Sequence, residues 1–407
     1  MNSKKAFFVL FLIVFIDLVG FGIIIPLIPL YASSFGASPI IAAIIVAIYS
    51  LMQFFFAPIW GSISDRYGRR PVFLMTLTGS VIAYTALGSA NFLWVLLIAR
   101  AVAGAMAGNI STAQAYIADI TTPENRAQGM GMLGAAFGLG FIFGPAIGGL
   151  LATWGGQSAN YQLPSFFSAF LSFVALVLAF TFLSESLSPE VKQLKTAEQK
   201  QPRSFFRGIR VLRSQELSLL IGISFLVSFA MSALDTTLGL WAKATFNWGP
   251  AQVGYLFGLM GIFTTIMQGG LTGVLTKRFG EKKMLILGLT ATTVGFLFIA
   301  GANTLPLVIL GGIFLGIGPG TSIPASNSLI SKFAAASSQG ETMGVAQSAS
   351  AFARIVGPTW AGACFGYFGS SAPFVSGAVA ILIAAGLGLR VTKTIRSYSG
   401  AVGSTRS

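Results

Sequence analysis

The chain has 407 residues, 54% of them hydrophobic and only 9% charged, and a formal net charge of +14. That is too apolar for a soluble domain and excludes a soluble enzyme, placing the chain among polytopic membrane proteins. Cys364 alone excludes an intramolecular disulfide framework, the lack of histidine excludes histidine metal sites and proton relays, and no P-loop motif is present to bind ATP.

Apolar runs of about 20 residues can cross a bilayer as helices. They fall near 6–30, 40–62, 72–90, 93–117, 128–152, 164–183, 217–241, 250–275, 283–301, 305–330, 342–368 and 372–392. The first run follows Lys4 and Lys5 as a secretory signal would. It continues past signal length, carries Asp17 and lacks a small-residue cleavage site, so it reads as a retained span. The expected fold is an all-α integral membrane protein with twelve transmembrane helices in two six-helix bundles. Residues 1–183 form the first bundle and 216–392 the second. Between them, 184–215 is a cytoplasmic linker containing Pro189, Pro202 and a dense Lys/Arg run. Its 203–213 stretch fits either a basic amphipathic surface helix or a solvated connection. Residues 393–407 are a cytoplasmic tail, Gly/Ser-rich and loose from Ser397 onward.

On this topology every basic residue except Arg100, Lys243 and Arg354 lies on one side of the membrane. The asymmetry places both termini in the cytoplasm. The net charge therefore reads as topology and contact with anionic lipid, not as a nucleic-acid surface. The halves also repeat. Gly61 in GSISDRYGRR matches Gly273 in GVLTKRFGEKK, Gly104 and Gly108 match Gly316 and Gly320 at the same offset, and Gly144-Pro145 matches Gly357-Pro358 one residue further on. Repeated six-span halves with a site between them fit a rocking transporter.

Four charges lie within apolar spans: Asp17, Arg100, Asp235 and Arg354. Each costs about 2.5–3.5 kcal/mol at mid-bilayer on insertion scales. They must face a wet cavity, pair with one another, or handle a substrate or ion; a structural ion pair is the alternative. At about 1.5 Å per residue, Asp17 and Arg354 lie roughly 17–18 Å from the cytoplasmic end of their spans, and Arg100 and Asp235 nearer 25 Å.

The connection after span two carries Gly61, Asp65, Arg66, Gly68, Arg69, Arg70 and Pro71. Glycines permit a tight turn, Pro71 suits a first helical turn, the arginines pin the loop to the cytoplasmic face, and Asp65 can cap a helix N-terminus. Span five carries Gly131, Gly140, Gly144, Pro145, Gly148 and Gly149, spacings that allow close helix approach and a bend. Span eleven echoes it with Gly344, Ala353, Gly357, Pro358 and Gly362.

These residues resemble the major facilitator superfamily, and within it the twelve-span drug:proton antiporters close to tetracycline-efflux proteins. GSISDRYGRR resembles the family's signature between spans two and three. The span-five glycines resemble its antiporter motif. Arg100 with Gly104 resembles its span-four proton-transfer motif, and Asp17 with Gly20, Pro26 and Pro29 its span-one pattern. Asp119 with Pro123 and Arg126 resembles the end of span four and its loop.

The resemblance implies a cytoplasmic gate in which Arg69 pairs with Asp119 and Asp65 sits near Met343 and Gly344. It implies a coupling pair of Asp17 and Arg100, and a cavity lined by spans one, four, seven and ten, for which Phe21, Tyr31, Gln114, Asp235 and Trp241 are candidates, Asp235 also for coupling; Arg354, which has no role in the resemblance, either pairs with Asp17, which it matches in depth, or binds an anionic substrate group. The expected function is secondary active transport, namely export of drugs or small amphiphiles driven by the proton gradient, with no other cofactor. The expected setting is a cell membrane, and the expected form a monomer. Import or facilitation of a small metabolite is the nearest rival; a non-transporting receptor or scramblase is a rival of another class. The chain departs from the tetracycline exporters in having Ala83-Tyr84 where they carry a span-three acid, and no acid over 283–301. Tetracycline is therefore not carried over as the substrate. Lys277 replaces Asp65 in the second copy of the loop.

Overall fold

In a bilayer every backbone polar group must find an internal partner, so an apolar chain of this kind resolves into helices. The computed structural model describes residues 3–121, 123–154, 159–187, 214–334 and 339–403, and these are almost entirely helical. Span one is α1 (Ser3–Ile24) and α2 (Ile28–Ser34), span two α3 (Pro39–Tyr67) and span three α4 (Arg69–Gly88). Span four is α5 (Leu93–Ala105) and α6 (Asn109–Ile120), span five α7 (Pro123–Ala152) and span six α8 (Gln162–Phe182). After the linker come α9 (Gln215–Phe246), α10 (Pro250–Ile266), a π-helical turn (Met267–Leu271) with α11 (Thr272–Phe279), α12 (Glu281–Ala300), α13 (Leu305–Phe333), α14 (Gln339–Phe368) and α15 (Ala372–Gly403). Among the described residues eleven spans are long and apolar enough to cross a membrane. Helix α14, 30 residues long, is not among them; Gln347, Arg354 and several serines lower its hydropathy.

Three details differ from the expectation. Span two continues to Tyr67 and span three starts at Arg69, so the loop is Gly68 alone, at φ +113°. Only glycine adopts that conformation readily. Span four is broken after Ala105, where the freed carbonyl accepts a 2.6 Å hydrogen bond from the Trp60 indole. The last helix runs to Gly403, well into the expected loose tail, because glycine and serine weaken a helix without the outright break that proline imposes. The stretch 203–213 lies outside the described residues.

The chain packs as two compact units. One takes in Met1–Arg203, Asp235–Gly261 and Ala361–Ser370; the other, Ser204–Leu234, Ile262–Trp360 and Ser371–Ser407. The first unit thus includes parts of spans seven, eight and eleven, and small residues explain why. A Cβ at Gly149 would stand 2.6 Å from the Pro250 carbonyl oxygen, and one at Gly254 would stand 2.5 Å from that of Pro145. One at Gly362 would press on Ala43. Backbones meet there directly, which is how helices associate in lipid, where apolar burial alone gives little drive. The core of this unit holds Leu10, Ile13, Phe73, Leu77 and Tyr116. Exposed Phe166, Phe170, Phe173 and Phe180 on α8 form a lipid-facing stripe. In the second unit, Gly288 and Gly295 of α12 interlock with Gly311 and Gly318 of α13.

Candidate transport site and gate

The candidate gate residues gather around one buried guanidinium. Arg69 is 2% exposed. Its Nε donates to Asp119 at 2.9 Å, one Nη to Asp65 at 2.8 Å and the other to Ser64 at 2.5 Å. The backbone N–H groups of Arg69 and Arg70 open α4 and both donate to Glu185, at 2.8 and 3.1 Å. Glu185 is therefore the cap of α4, and it answers the partial positive charge of a helix N-terminus. Gly68 is required by this carboxylate as well as by its φ: a Cβ would lie 2.3 Å from a Glu185 oxygen. Ser186 donates to Asp119 at 3.0 Å. Arg70 donates to the Phe180 carbonyl at 2.7 Å, and exposed Arg66 lies over the Tyr67 ring. Gly61 sits inside α3, where a Cβ would meet nothing within 4 Å, so no close approach accounts for it. The side chain of Arg126 and the surroundings of Gly131 lie outside the described residues.

The span-five seam is explained by contact. A Cβ at Gly140 would stand 2.8 Å from Leu18, one at Gly144 2.6 Å from the Gly22 Cα, and one at Gly148 2.6 Å from the Ile23 carbonyl oxygen. Gly144 to Gly149 thus press span one on one side and span eight on the other. Both α7 and α14 run through their internal prolines, Pro145 and Pro358.

Asp17 and Arg100 do not pair in this structure. The Asp17 carboxylate accepts a 3.1 Å hydrogen bond from the Asn109 side-chain amide. The Asn109 carbonyl oxygen in turn accepts from the Thr76 hydroxyl. The break in span four sets Asn109 at the start of α6, aimed at span one. Arg100, 3% exposed, lies over the Tyr49 ring at 4.4 Å, and its Nε and one Nη have no hydrogen-bond partner. Gly104 makes that stacking possible, since a Cβ there would stand 2.3 Å from the Tyr49 carbonyl oxygen. Tyr84, 5% exposed, is buried.

The cavity candidates divide. Phe21 is half-buried, against Tyr49 and Phe141, and Gln114 is exposed. Tyr31 is buried instead, its hydroxyl donating to the Leu87 and Ala90 carbonyls at 3.3 and 3.1 Å. Trp241, 1% exposed, packs edge-on to Phe246. Both are packing residues here, since an aromatic ring in a polytopic bundle fills space between helices as readily as it lines a cavity. Asp235 is half-buried. Arg354 lines a cavity inside the second unit. Sequence reasoning missed Asn109, Thr76, Tyr49 and Glu185. The amide of Asn109 in an apolar span was a readable signal; the ring position of Tyr49 was not.

A twelve-span helical chain with paired halves, a one-residue turn flanked by charges and intramembrane charges is a polytopic solute transporter, not an enzyme. The Major Facilitator Superfamily model matches residues 10–272 and 220–406, and the chain belongs to that family. It is 32% identical to the class C tetracycline resistance protein of Escherichia coli, over 88% of this chain and 89% of that one. It is similar to the crystal structure of the human organic anion transporter MFSD10 (TETRAN), with a TM-score of 0.71 and 26% identity, covering 95% of this chain and all of that one. A bacterial homologue of the lysosomal transporter Spinster, solved inward-facing and occupied, superposes with a TM-score of 0.77 at 14% identity, a likeness of fold.

Proposed function

We propose that the protein exports small amphiphilic compounds in exchange for protons, by alternating access. The observation that carries this reading is Asp17: a half-buried carboxylate in the middle of an apolar span, held by the Asn109 amide and, among the described residues, in no ion pair. A carboxylate so placed balances two opposed effects, burial against charge and a donated hydrogen bond in its favour. A modest change in surroundings therefore shifts its proton affinity, as coupling requires. Substrate and proton would exchange through differential affinity for the two states. Arg100, with donors to spare over Tyr49, is a second coupling element, and Asp235 a third. The Arg69 cluster would hold the cytoplasmic side, and the span-five seam the outer side.

The kinship to tetracycline resistance proteins supports export, while Ala83-Tyr84 argues against tetracycline itself. The protein would act as a monomer in a cell membrane with both termini cytoplasmic and no cofactor beyond the gradient. The test is accumulation of a panel of fluorescent amphiphiles in cells expressing wild type or Asp17→Asn. Lower accumulation of some dyes with wild type only is the expected result. Equal accumulation of every dye in both would remove the reading.

A further inference from the structure

Span eight changes character at the π-helical turn Met267–Leu271. Before the turn, α10 buries Val253, Leu256, Phe257 and Met260 among others; after it, α11 buries Thr272 alone. Within the turn the backbone leaves helical values at Gly270 (φ 174°, ψ −40°). A Cβ at Gly269, Gly270 or Gly273 would meet nothing among the described residues within 4 Å, and all three are exposed. Unlike the span-five glycines, these are not explained by close helix approach; their effect is to weaken the helix. Two threonines bracket the turn. Thr264 donates to the Gly316 carbonyl of span ten at 3.0 Å, and Thr272 to the Gly320 carbonyl at 3.2 Å. Gly320 lets the helices meet between them, since a Cβ there would stand 2.9 Å from that of Met267. At the offset that pairs Gly61 with Gly273, Thr272 is the counterpart of Trp60, whose indole likewise donates to a span-four carbonyl. Span two, however, runs unbroken from Pro39 to Tyr67 and buries both Trp60 and Ser64.

We infer that Met267–Leu271 is a joint: the segment Thr272–Phe279, which carries Lys277 and Arg278, tilts as a short separate rod while Thr264 stays fixed on span ten. The inference goes beyond the transport reading and depends neither on the cargo nor on proton coupling. Three features carry it. A π turn closes its hydrogen bonds one residue wider than an α-helical turn, and helices bend where such a turn interrupts them. No side chain packs where the glycines leave room, so nothing there resists the bend. Beyond Thr272 the rod buries no residue, and a segment with few buried contacts moves at little cost. Its far end is loose as well: the one-residue turn at Gly280, φ +80°, has open space around it. The joint belongs to the second half alone, because the matching stretch of span two is a continuous helix held by the buried Trp60 ring.

Distances between pairs of spin labels, measured on the full-length protein in lipid nanodiscs, test this. One pair joins Lys277→Cys on the rod to Ile383→Cys on α15. The reference pair joins Ile262→Cys, before the turn, to the same Ile383→Cys. Both are made with Cys364→Ala, and all three labelled positions are exposed. A bend of about 20° at the turn displaces a group about 10 Å away by roughly 3–4 Å. The Lys277 distribution should therefore be wider than the reference by that amount. Deleting Gly270 removes the extra residue of the π turn and leaves both flanks on their faces, so the width should fall to that of the reference. Gly269→Ala with Gly270→Ala should narrow it in part, and this variant carries the test should the deletion fail to fold. Thr272→Val, which releases the rod from the Gly320 carbonyl, should widen it. Equal widths for the two pairs, or a wide Lys277 distribution that neither glycine variant narrows, would overturn the inference.

Discussion

Arg69 and Glu281 stand at equivalent places in the two halves and carry opposite charges. Each is the first residue of a helix and follows a glycine in the left-handed region, Gly68 at φ +113° and Gly280 at φ +80°. Each reaches the end of the next span, Arg69 to Asp119 and Glu281 to Lys332. The latch is thus kept through the repeat with its polarity reversed. Glutamate suits a helix N-terminus by itself, whereas arginine opposes the helix dipole. Glu185 supplies the missing negative charge in the first half.

The two latches should differ in strength. The Arg69 side chain is 3% exposed and the Lys332 side chain 61%. Breaking a buried pair by removing one partner costs about 3–5 kcal/mol, and an exposed pair contributes about 0–1 kcal/mol. Asp119→Asn should therefore lower the unfolding temperature in detergent strongly, and Lys332→Gln hardly at all. Equal effects would show that exposure does not set the ranking.

Glu185→Gln keeps the shape of the cap and removes its charge. The dipole interaction is worth about 0.3–2 kcal/mol, so a drop of that size in stability is expected, shrinking at high salt. Thermal unfolding of the variant at low and high ionic strength measures it.

Asn109→Ala removes the donor to Asp17. Transport should fall about tenfold or more, the value of a hydrogen bond to a charged acceptor, while expression and folding persist. Asn109→Asp should be at least as damaging, because it places a second carboxylate against the first. Flux in proteoliposomes is the readout; wild-type flux in Asn109→Ala would remove Asn109 from the mechanism.

Glycines should divide by what a Cβ would meet. At Gly144 it would stand 2.6 Å from the Gly22 Cα, backbone that cannot swing aside. Gly144→Ala should reduce transport and expose outer ends of spans one and five to cysteine labelling. At Gly386, which faces outward on α15, it would meet nothing within 4 Å. Gly386→Ala should be neutral or stabilising by up to about 1 kcal/mol, the helix-propensity difference. Flux and thermal stability of the two variants, side by side, check the contrast.

Much of this was legible in the sequence because a membrane leaves few choices. The span positions followed from run length, and the span-five glycines announced close packing before their partners were known. What stayed hidden depended on helix rotation and depth. Residues 235–261 packing on the first unit could not be read from the span order, and Tyr31 and Trp241 could not be told from lining residues by type alone. The family resemblance implied that Asp17 and Arg100 pair, while depth along the spans matched Asp17 to Arg354. The break at residues 106–108 instead presents Asn109 to Asp17 and leaves Arg100 to Tyr49.

The most direct test of proton coupling uses inverted membrane vesicles with an acid interior, followed by a pH-sensitive dye. Cationic, neutral and anionic amphiphiles are added to wild type, Asp17→Asn and Asp235→Asn. Proton release by some compounds with wild type, reduced in Asp235→Asn and lost in Asp17→Asn, is the predicted result. Release that survives in Asp17→Asn, or none from any compound with wild type, would contradict the account.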